Sequence, residues 1–433
     1  MATLKNGILT VGNGLSINEK KPFGRIYELG LYITIVFYYI FYSSRVLMVI
    51  AIALGICTSL LFVIGKIWKS RLRIPMNTIW YFLFFSFAEL SAAWAFSPET
   101  ALTKYFRMMI MDILICFALT EYIDTKDDLE KALSIYVAAV FTIVAIEMIF
   151  TPFSEWTGRY FGMKVGNNNP NTYGFIALFA GVISFYKGYI LGKKRIFWYS
   201  LTVLFIFNCI LTSSRKATSM SFICIMFLIA TAFNKRMHWI HLIGSLLAAG
   251  AVLVLLFKVD VFYDVIGYRF DTLFSFLSDS NNVDYTNSLS LRSFFIEYAK
   301  GLFRQKPFLG HGFANFAKIV EADVSFATGV YSHNNYWEIL ADLGITGFLI
   351  YYSFYFYLMI KTLARFFKNK KDYIFSLSFA LLCTLMILEW GVVSMISLYA
   401  QIIITFIYSM TYIQNSKRKY SYIQSPEGGR NHG

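Results

Sequence analysis

Residues 46–65 read VLMVIAIALGICTSLLFVIG, a run without a single charge. At about 1.5 Å of rise per residue, a helix of this length spans the roughly 30 Å hydrocarbon core of a bilayer. Blocks of the same character recur outward in both directions, near 26–42, 78–96, 105–120, 131–150, 172–190, 196–213, 217–233, 239–257, 335–360, 373–391 and 395–413. The composition agrees: 57% of the 433 residues are hydrophobic and only 15% are charged, against roughly 25% charged in soluble domains. The expected fold is all-α: a polytopic membrane protein with about 12 transmembrane helices and one large external loop carrying short helices. The first 25 residues lack the apolar core and small-residue cleavage site of a signal peptide, so the first span is expected to remain as an anchor. Cys57, Cys116, Cys209, Cys224 and Cys383 all lie in apolar blocks without metal-ligand spacing, and read as small core residues.

The net charge of +14 sits in short clusters between apolar blocks. That is the pattern of Lys and Arg retained on the cytoplasmic side, not of a nucleic-acid surface, so no nucleic-acid partner is expected. With the N-terminus inside, Lys66, Lys69, Arg71 and Arg73 fall inside, as do Lys193, Lys194 and Arg195, then Lys235 and Arg236, then Lys361, Arg365, Lys368, Lys370 and Lys371, and finally Lys417, Arg418 and Lys419. The loop 121–130 is the exception, being more acidic than basic. The division expected is a cytoplasmic segment 1–25, helices one to nine over 26–257, an external loop 258–334, helices ten to twelve over 335–413, and a cytoplasmic tail 414–433.

The loop 258–334 is near neutral and long enough to be functional. Within it, SLRSFFIEYAKGLF (290–303) has helical apolar spacing, QKP (305–307) ends that helix, FLGHGF (308–313) is a Gly-rich turn, and 313–321 suits a second short helix. YSHNNYWE (331–338) runs straight into the tenth span. His333 thus stands at the outer mouth of a membrane helix, where an imidazole serves as a general base; a capping or interfacial histidine is the plainer reading of that residue alone. Arg215, in TSSRK (212–216), faces outward against the general charge rule, and charge near a membrane is usually functional; an arginine snorkelling to headgroups is the alternative. Arg292 alone is an ordinary loop arginine. Arg159 and Lys164 precede GNNNPN (166–171), either plain turn punctuation or amides that bind sugar hydroxyls. Together these residues suit an anionic, lipid-anchored substrate, because a guanidinium fork matches phosphate oxygens and stays charged. No phosphate-binding GxxxxGK[ST] and no dinucleotide GxGxxG is present, and no acidic pair is spaced like a metal site on an outer loop. A nucleotide-sugar enzyme and an energy-coupled pump are therefore unsupported.

The run SHNNYWEILADLGITGFLIYY (332–352) resembles the signature of the bacterial O-antigen ligase and polymerase superfamily, through His333, Asn334, Glu338, Gly344 and Gly347. The stretch from Arg292 through KPFLGHGFANF, the TSSR element and the GNNNPNTYG turn are similar to further elements of that family. The resemblance implies about a dozen helices with an outward-facing cavity roofed by the large loop. It also implies a glycosyltransferase of the bacterial cytoplasmic membrane, both termini cytoplasmic, that uses a polyprenyl-diphosphate-linked glycan donor and a glycan or lipid acceptor. His333, Arg215 and Arg292 are then the catalytic candidates, and Arg159, Asn169, Asn171, Asn334, Glu338 and His311 the substrate-binding ones. No metal and no cofactor are expected. The partners implied are other polysaccharide assembly proteins, including a chain-length regulator. A polymerase joining repeat units into O-antigen, capsule or exopolysaccharide is favoured. A ligase transferring finished glycan to lipid A-core is the alternative, and a lipid-linked oligosaccharide transporter a weaker third.

Overall fold

The computed structural model describes residues 2–5, 8–11, 23–41, 44–68, 73–103, 106–156, 169–192, 194–232, 244, 288–324, 329–368 and 373–413. Its helices in chain order are α1 (Gly24–Ile40), α2 (Arg45–Trp68), α3 (Met76–Leu90), α4 (Pro98–Thr103), α5 (Phe106–Tyr122), α6 (Lys126–Phe150), α7 (Pro170–Phe185), α8 (Arg195–Leu211), α9 (Arg215–Ala232), α10 (Ser288–Gln305), α11 (Phe316–Asp323), α12 (Asn335–Lys368), α13 (Tyr373–Glu389) and α14 (Leu398–Tyr412). A small antiparallel sheet, absent from the sequence expectation, joins β1 (Ala2–Lys5), β2 (Ile8–Val11) and β3 (Arg73–Pro75).

The chain is a multi-pass, all-α membrane protein. Helices over Val46–Trp68, Lys126–Phe150, Pro170–Ile190 and Asn335–Arg365 are each long and apolar enough to cross a membrane, and Arg195–Leu211, Tyr373–Glu389 and Leu398–Tyr412 are shorter apolar helices. The ninth expected span, 239–257, and the tail 414–433 lie outside the described residues. Outward faces carry large apolar side chains, among them Val46, Ile149, Ile196, Val203 and Phe356. Such a belt is unstable in water and at home in lipid. Cys57 is on this exposed surface, whereas Cys116, Cys209 and Cys224 are buried; the spacing of α2 alone did not reveal which face met lipid.

Local sequence sets the helix starts. Thr125 and Asp128 form a capping box at α6, and Asn169 caps α7 with Pro170 in its first turn. Aromatic packing locks the interior: the Trp80 ring stacks on Phe354 at 4.6 Å, and its Nε1 donates to the Ile350 carbonyl at 3.0 Å.

Polar contacts sort to two ends of the bundle. At one end Lys66 pairs with Glu121 at 3.1 Å and Asp124 at 3.3 Å, and Lys131 with Glu28 at 2.6 Å. Lys187 donates to the Glu130 carbonyl and Ser134 hydroxyl, Arg365 to the Met410 and Ile413 carbonyls, and Tyr412 to those of Thr120 and Ile123. The acidic character of 121–130 is thereby matched by a basic side chain from the last turn of α2.

The tenth span departs from the expected single helix. Gly344 has φ 63° and ψ −168° inside α12, which breaks it into 335–343 and 345–368. Residues 336 and 352 of one straight helix would stand about 24 Å apart, yet the Tyr336 and Tyr352 rings stack at 4.7 Å. The first segment folds back over the second. It joins α10 and α11 in a small outer core of Phe295, Ala299, Leu302, Phe316, Val320 and Ala341.

Candidate active site

The end of the bundle opposite Lys66 and Lys131 is assembled around that break. Breaking a helix strands carbonyls on one side and N–H groups on the other. The segment 307–312 satisfies both: His311 and Gly312 N–H donate to the Ala341 and Asp342 carbonyls at 3.0 and 2.8 Å, and Ile345 and Thr346 N–H donate to the Pro307 and Phe308 carbonyls at 2.8 and 3.2 Å. This close backbone approach needs Gly344 and Gly310, both at positive φ, because a Cβ on either would overlap backbone of the opposite strand. The Gly-rich turn of the sequence is therefore a clasp on the helix break. Residues 91–97 brace it from the other side: Trp94 Nε1 donates to the Leu309 carbonyl at 2.9 Å, and Ser91 Oγ accepts from Phe313 N–H at 2.8 Å. His311 is buried in the clasp, its Nε2 against the Leu302 carbonyl at 3.1 Å, and burial lowers its pKa.

The turn before α12 is just as tightly held. Asn334 caps the helix, its Oδ1 accepting from Trp337 N–H at 3.1 Å. Glu338 reaches back to accept from Ser332 N–H at 2.6 Å, a charge-assisted bond. Between them His333 takes φ 61° and remains half-buried, with its ring 4.1 Å from that of Tyr331 and 6.5 Å from that of Phe295. Phe295 is three residues from Arg292 on α10, so both lie on one helix face, and Arg292 shares the side that meets His333.

Arg215 reaches the same place from α9. The α8–α9 turn, with Ser213 at φ 52°, packs on the start of α7, where Ser214 Oγ donates to Asn171 Oδ1 at 2.9 Å and Asn169 Oδ1 accepts from Asn171 N–H at 2.9 Å. The Asn-Pro-Asn turn and the Ser-Arg element are thus one joint. Arg159 lies outside the described residues, as does most of the expected roof, 258–287.

Lys216 is the residue the sequence reading passed over. Its Nζ donates to the Gly391 carbonyl, next to the Trp390 carbonyl that accepts from Asn334 Nδ2 at 3.2 Å. Burial, then Arg292, then Arg215 push its ammonium down to about 7. Lys216 is thus within electrostatic reach of both guanidiniums, one its sequence neighbour and the other on α10. Only tertiary structure brings Arg292 alongside, so nothing local in TSSRK marks Lys216 above any other lysine. Beneath it, buried Glu389 accepts hydroxyl bonds from Tyr355, Ser394 and Tyr352 at 2.6, 2.7 and 2.9 Å. Asn335 Oδ1 accepts from Ser394 and Met395 N–H, fastening the loop 390–397 under the His333 turn. Among the described residues, no set of His, Cys, Asp and Glu converges as a metal site would require.

The cationic cluster and the half-buried imidazole stand at one end of the bundle. Residues 200–352 match the family described as O-antigen ligase. The match covers about a third of the chain and shows a similarity to that family over this stretch. The matched stretch holds Arg215, Lys216, Arg292, His311, His333, Asn334 and Glu338, and leaves Asn169 and Asn171 on the helix before it. No curated protein matches the chain. The O-antigen ligase/polymerase superfamily implies glycan transfer from lipid-linked substrates at the membrane, and polysaccharide biosynthesis as the setting.

Proposed function

We propose that the chain is a polymerase that joins polyprenyl-diphosphate-linked oligosaccharide repeat units into a surface polysaccharide, on the outer face of the cytoplasmic membrane. The observation that carries this reading is the convergence of Arg215, Lys216 and Arg292 beside His333 at the end of the bundle opposite Lys66, Lys131 and Arg365. In the reaction an acceptor hydroxyl attacks the anomeric carbon. A new glycosidic C–O bond forms, the C–O bond to diphosphate breaks, and its electron pair leaves with the diphosphate. The hydroxyl proton passes to His333, a role worth typically 10²–10⁴ in rate. Arg215 and Arg292 hold the diphosphate and stabilise the charge that grows as it departs. Asn169 and Asn171, beside Ser214, are candidates to meet sugar hydroxyls, and the fixed turn of Asn334 and Glu338 sets the imidazole's place.

The family description favours a second reading, a ligase that passes finished glycan to another acceptor. The polymerase is preferred because lipid-linked repeat units are joined in cells with or without an outer membrane, whereas transfer to lipid A needs one. Deleting the gene separates them. Single repeat units in place of long surface chains is the expected result. Lipid-linked polymer of normal length accumulating unattached would establish the ligase, and unchanged surface polymer would defeat both. In complemented cells, Arg215→Ala, Arg292→Ala and His333→Ala are each expected to reproduce the deletion at normal protein levels. Arg292→Lys is expected to recover only part of the activity, since a point charge does not replace a bidentate fork.

A further inference from the structure

We propose that Lys216 is a third contact for the donor's diphosphate, and that it takes up a proton from solvent when the donor binds. The inference rests on the reading of this site as one that binds a lipid-linked diphosphate, and it holds equally for a polymerase and a ligase.

Three features of its position carry it. Lys216 stands in the first turn of α9, where unsatisfied N–H groups add partial positive charge. Its amine is seated on the Gly391 carbonyl, one residue from the carbonyl that fixes Asn334, so it lies between the Arg215 joint and the His333 turn. It is also crowded by two guanidiniums, which cannot shed their protons at any relevant pH. A lysine is the one member of the trio able to do so, and burial with Arg292 and Arg215 beside it brings its loss of a proton to about pH 7. An arriving diphosphate reverses the balance: two negative charges make the third cation favourable, and the neutral amine gains a proton to become ammonium.

The other charged or titratable groups nearest it, among the described residues, are His333 and Glu338 on the approach to α12, Glu389 two residues before Gly391, and the Tyr331 and Tyr399 phenols, with His311, Lys306 and Asp342 farther off in the clasp. On the facing ends of α7 and α8 stand Asn171, Thr212 and Ser214, which do not titrate in this range. Glu338 is bound to Ser332 N–H and Glu389 is enclosed by three hydroxyls. His333 and His311 are the two histidines at this end among the described residues, so the test must hold both constant.

The sign follows from linkage. The free site's Lys216 pKa is depressed to about 7, and the donor-bound value is higher. Affinity is therefore full below that pH and falls by up to about tenfold per pH unit above it. The probe is a polyprenyl-diphosphate disaccharide, whose diester phosphates keep fixed charge across this range, and binding is measured to the full chain in nanodiscs. Wild-type affinity is expected to weaken roughly tenfold between about pH 7 and 8.5, with up to about one proton taken up per donor at the alkaline end. Lys216→Arg keeps the charge and is expected to flatten the profile; Lys216→Gln is expected to be flat and weaker throughout. All three chains retain His333 and His311. A flat wild-type profile, or a Lys216→Arg profile with the wild-type slope, overturns the proposal alone. Wild-type protein that binds no donor at any pH overturns the site reading and the proposal together. Binding with the expected slope but no chain extension leaves Lys216 standing and removes the polymerase.

Discussion

His333 sits at φ 61°, a conformation that costs a β-branched residue dearly and that Asn tolerates. Backbone and ring can therefore be separated at this one position. His333→Asn is expected to fold like the parent, in thermal unfolding and in yield from the membrane, while glycan assembly falls by about 10²–10⁴ if the ring is the base. His333→Val is expected to lose stability as well, by roughly 1–3 kcal/mol of backbone strain. Equal, near-normal activity in His333→Asn would remove the imidazole from the chemistry and leave it a turn residue. The imidazole's residue type and its place at a helix mouth were legible in the sequence, as was the choice of Arg215 and Arg292 as candidates. The left-handed backbone, and the neighbour Lys216, were not. Lys216 is set by Gly391 and Arg292, and the His333 turn by Trp390, which takes a hydrogen bond from Asn334; all are distant in sequence, and no local pattern encodes them.

At the scale of the element, the informative case is α12. Its apolar residues continue through 344 without a change of period, so the sequence reads as one helix, and nothing in ITGFLIYY signals that Tyr352 lies back beside Tyr336. The two glycines Gly310 and Gly344 were visible, but their purpose was not, because it lies in each other's backbone. Gly344→Ala forces a Cβ into the Phe308 carbonyl at a positive φ. The expected loss is roughly 1–3 kcal/mol from the backbone conformation and a comparable amount from overpacking. Gly301, in mid-α10 with nothing near its missing Cβ, is the control: Gly301→Ala is expected to be neutral or to stabilise by up to about 1 kcal/mol. Thermal unfolding of the two purified variants in one detergent decides the matter. If Gly344→Ala matches Gly301→Ala, the clasp of 307–312 does not hold the break in place.

For the whole molecule, the sidedness of the bundle is what turns these contacts into a direction. One end gathers the Lys66–Glu121/Asp124 and Lys131–Glu28 pairs, with Lys187 and Arg365 bonded to backbone carbonyls there; the other gathers the helix break, the Asn-Pro-Asn joint and the three cations. Basic side chains between spans are retained in the cytoplasm during insertion, so the first end should face inward, and the candidate site should open where lipid-linked sugars meet their acceptor. The acidic loop 121–130, which reads against the charge rule by composition, belongs to the inner end all the same, because Lys66 bridges to it. The orientation is open to a direct test. In a background where Cys57 and Cys383 are replaced by serine, Asp127→Cys and Ser293→Cys each place one thiol at an exposed position, on the α6 start and on α10. A membrane-impermeant maleimide applied to intact spheroplasts is expected to label Ser293→Cys and to spare Asp127→Cys until the membrane is opened. The reverse pattern would turn the cationic cluster toward the cytoplasm, away from lipid-linked glycan on the outer leaflet. The site would then need a different anionic substrate, even with every contact around Arg215, Lys216 and Arg292 left as it stands.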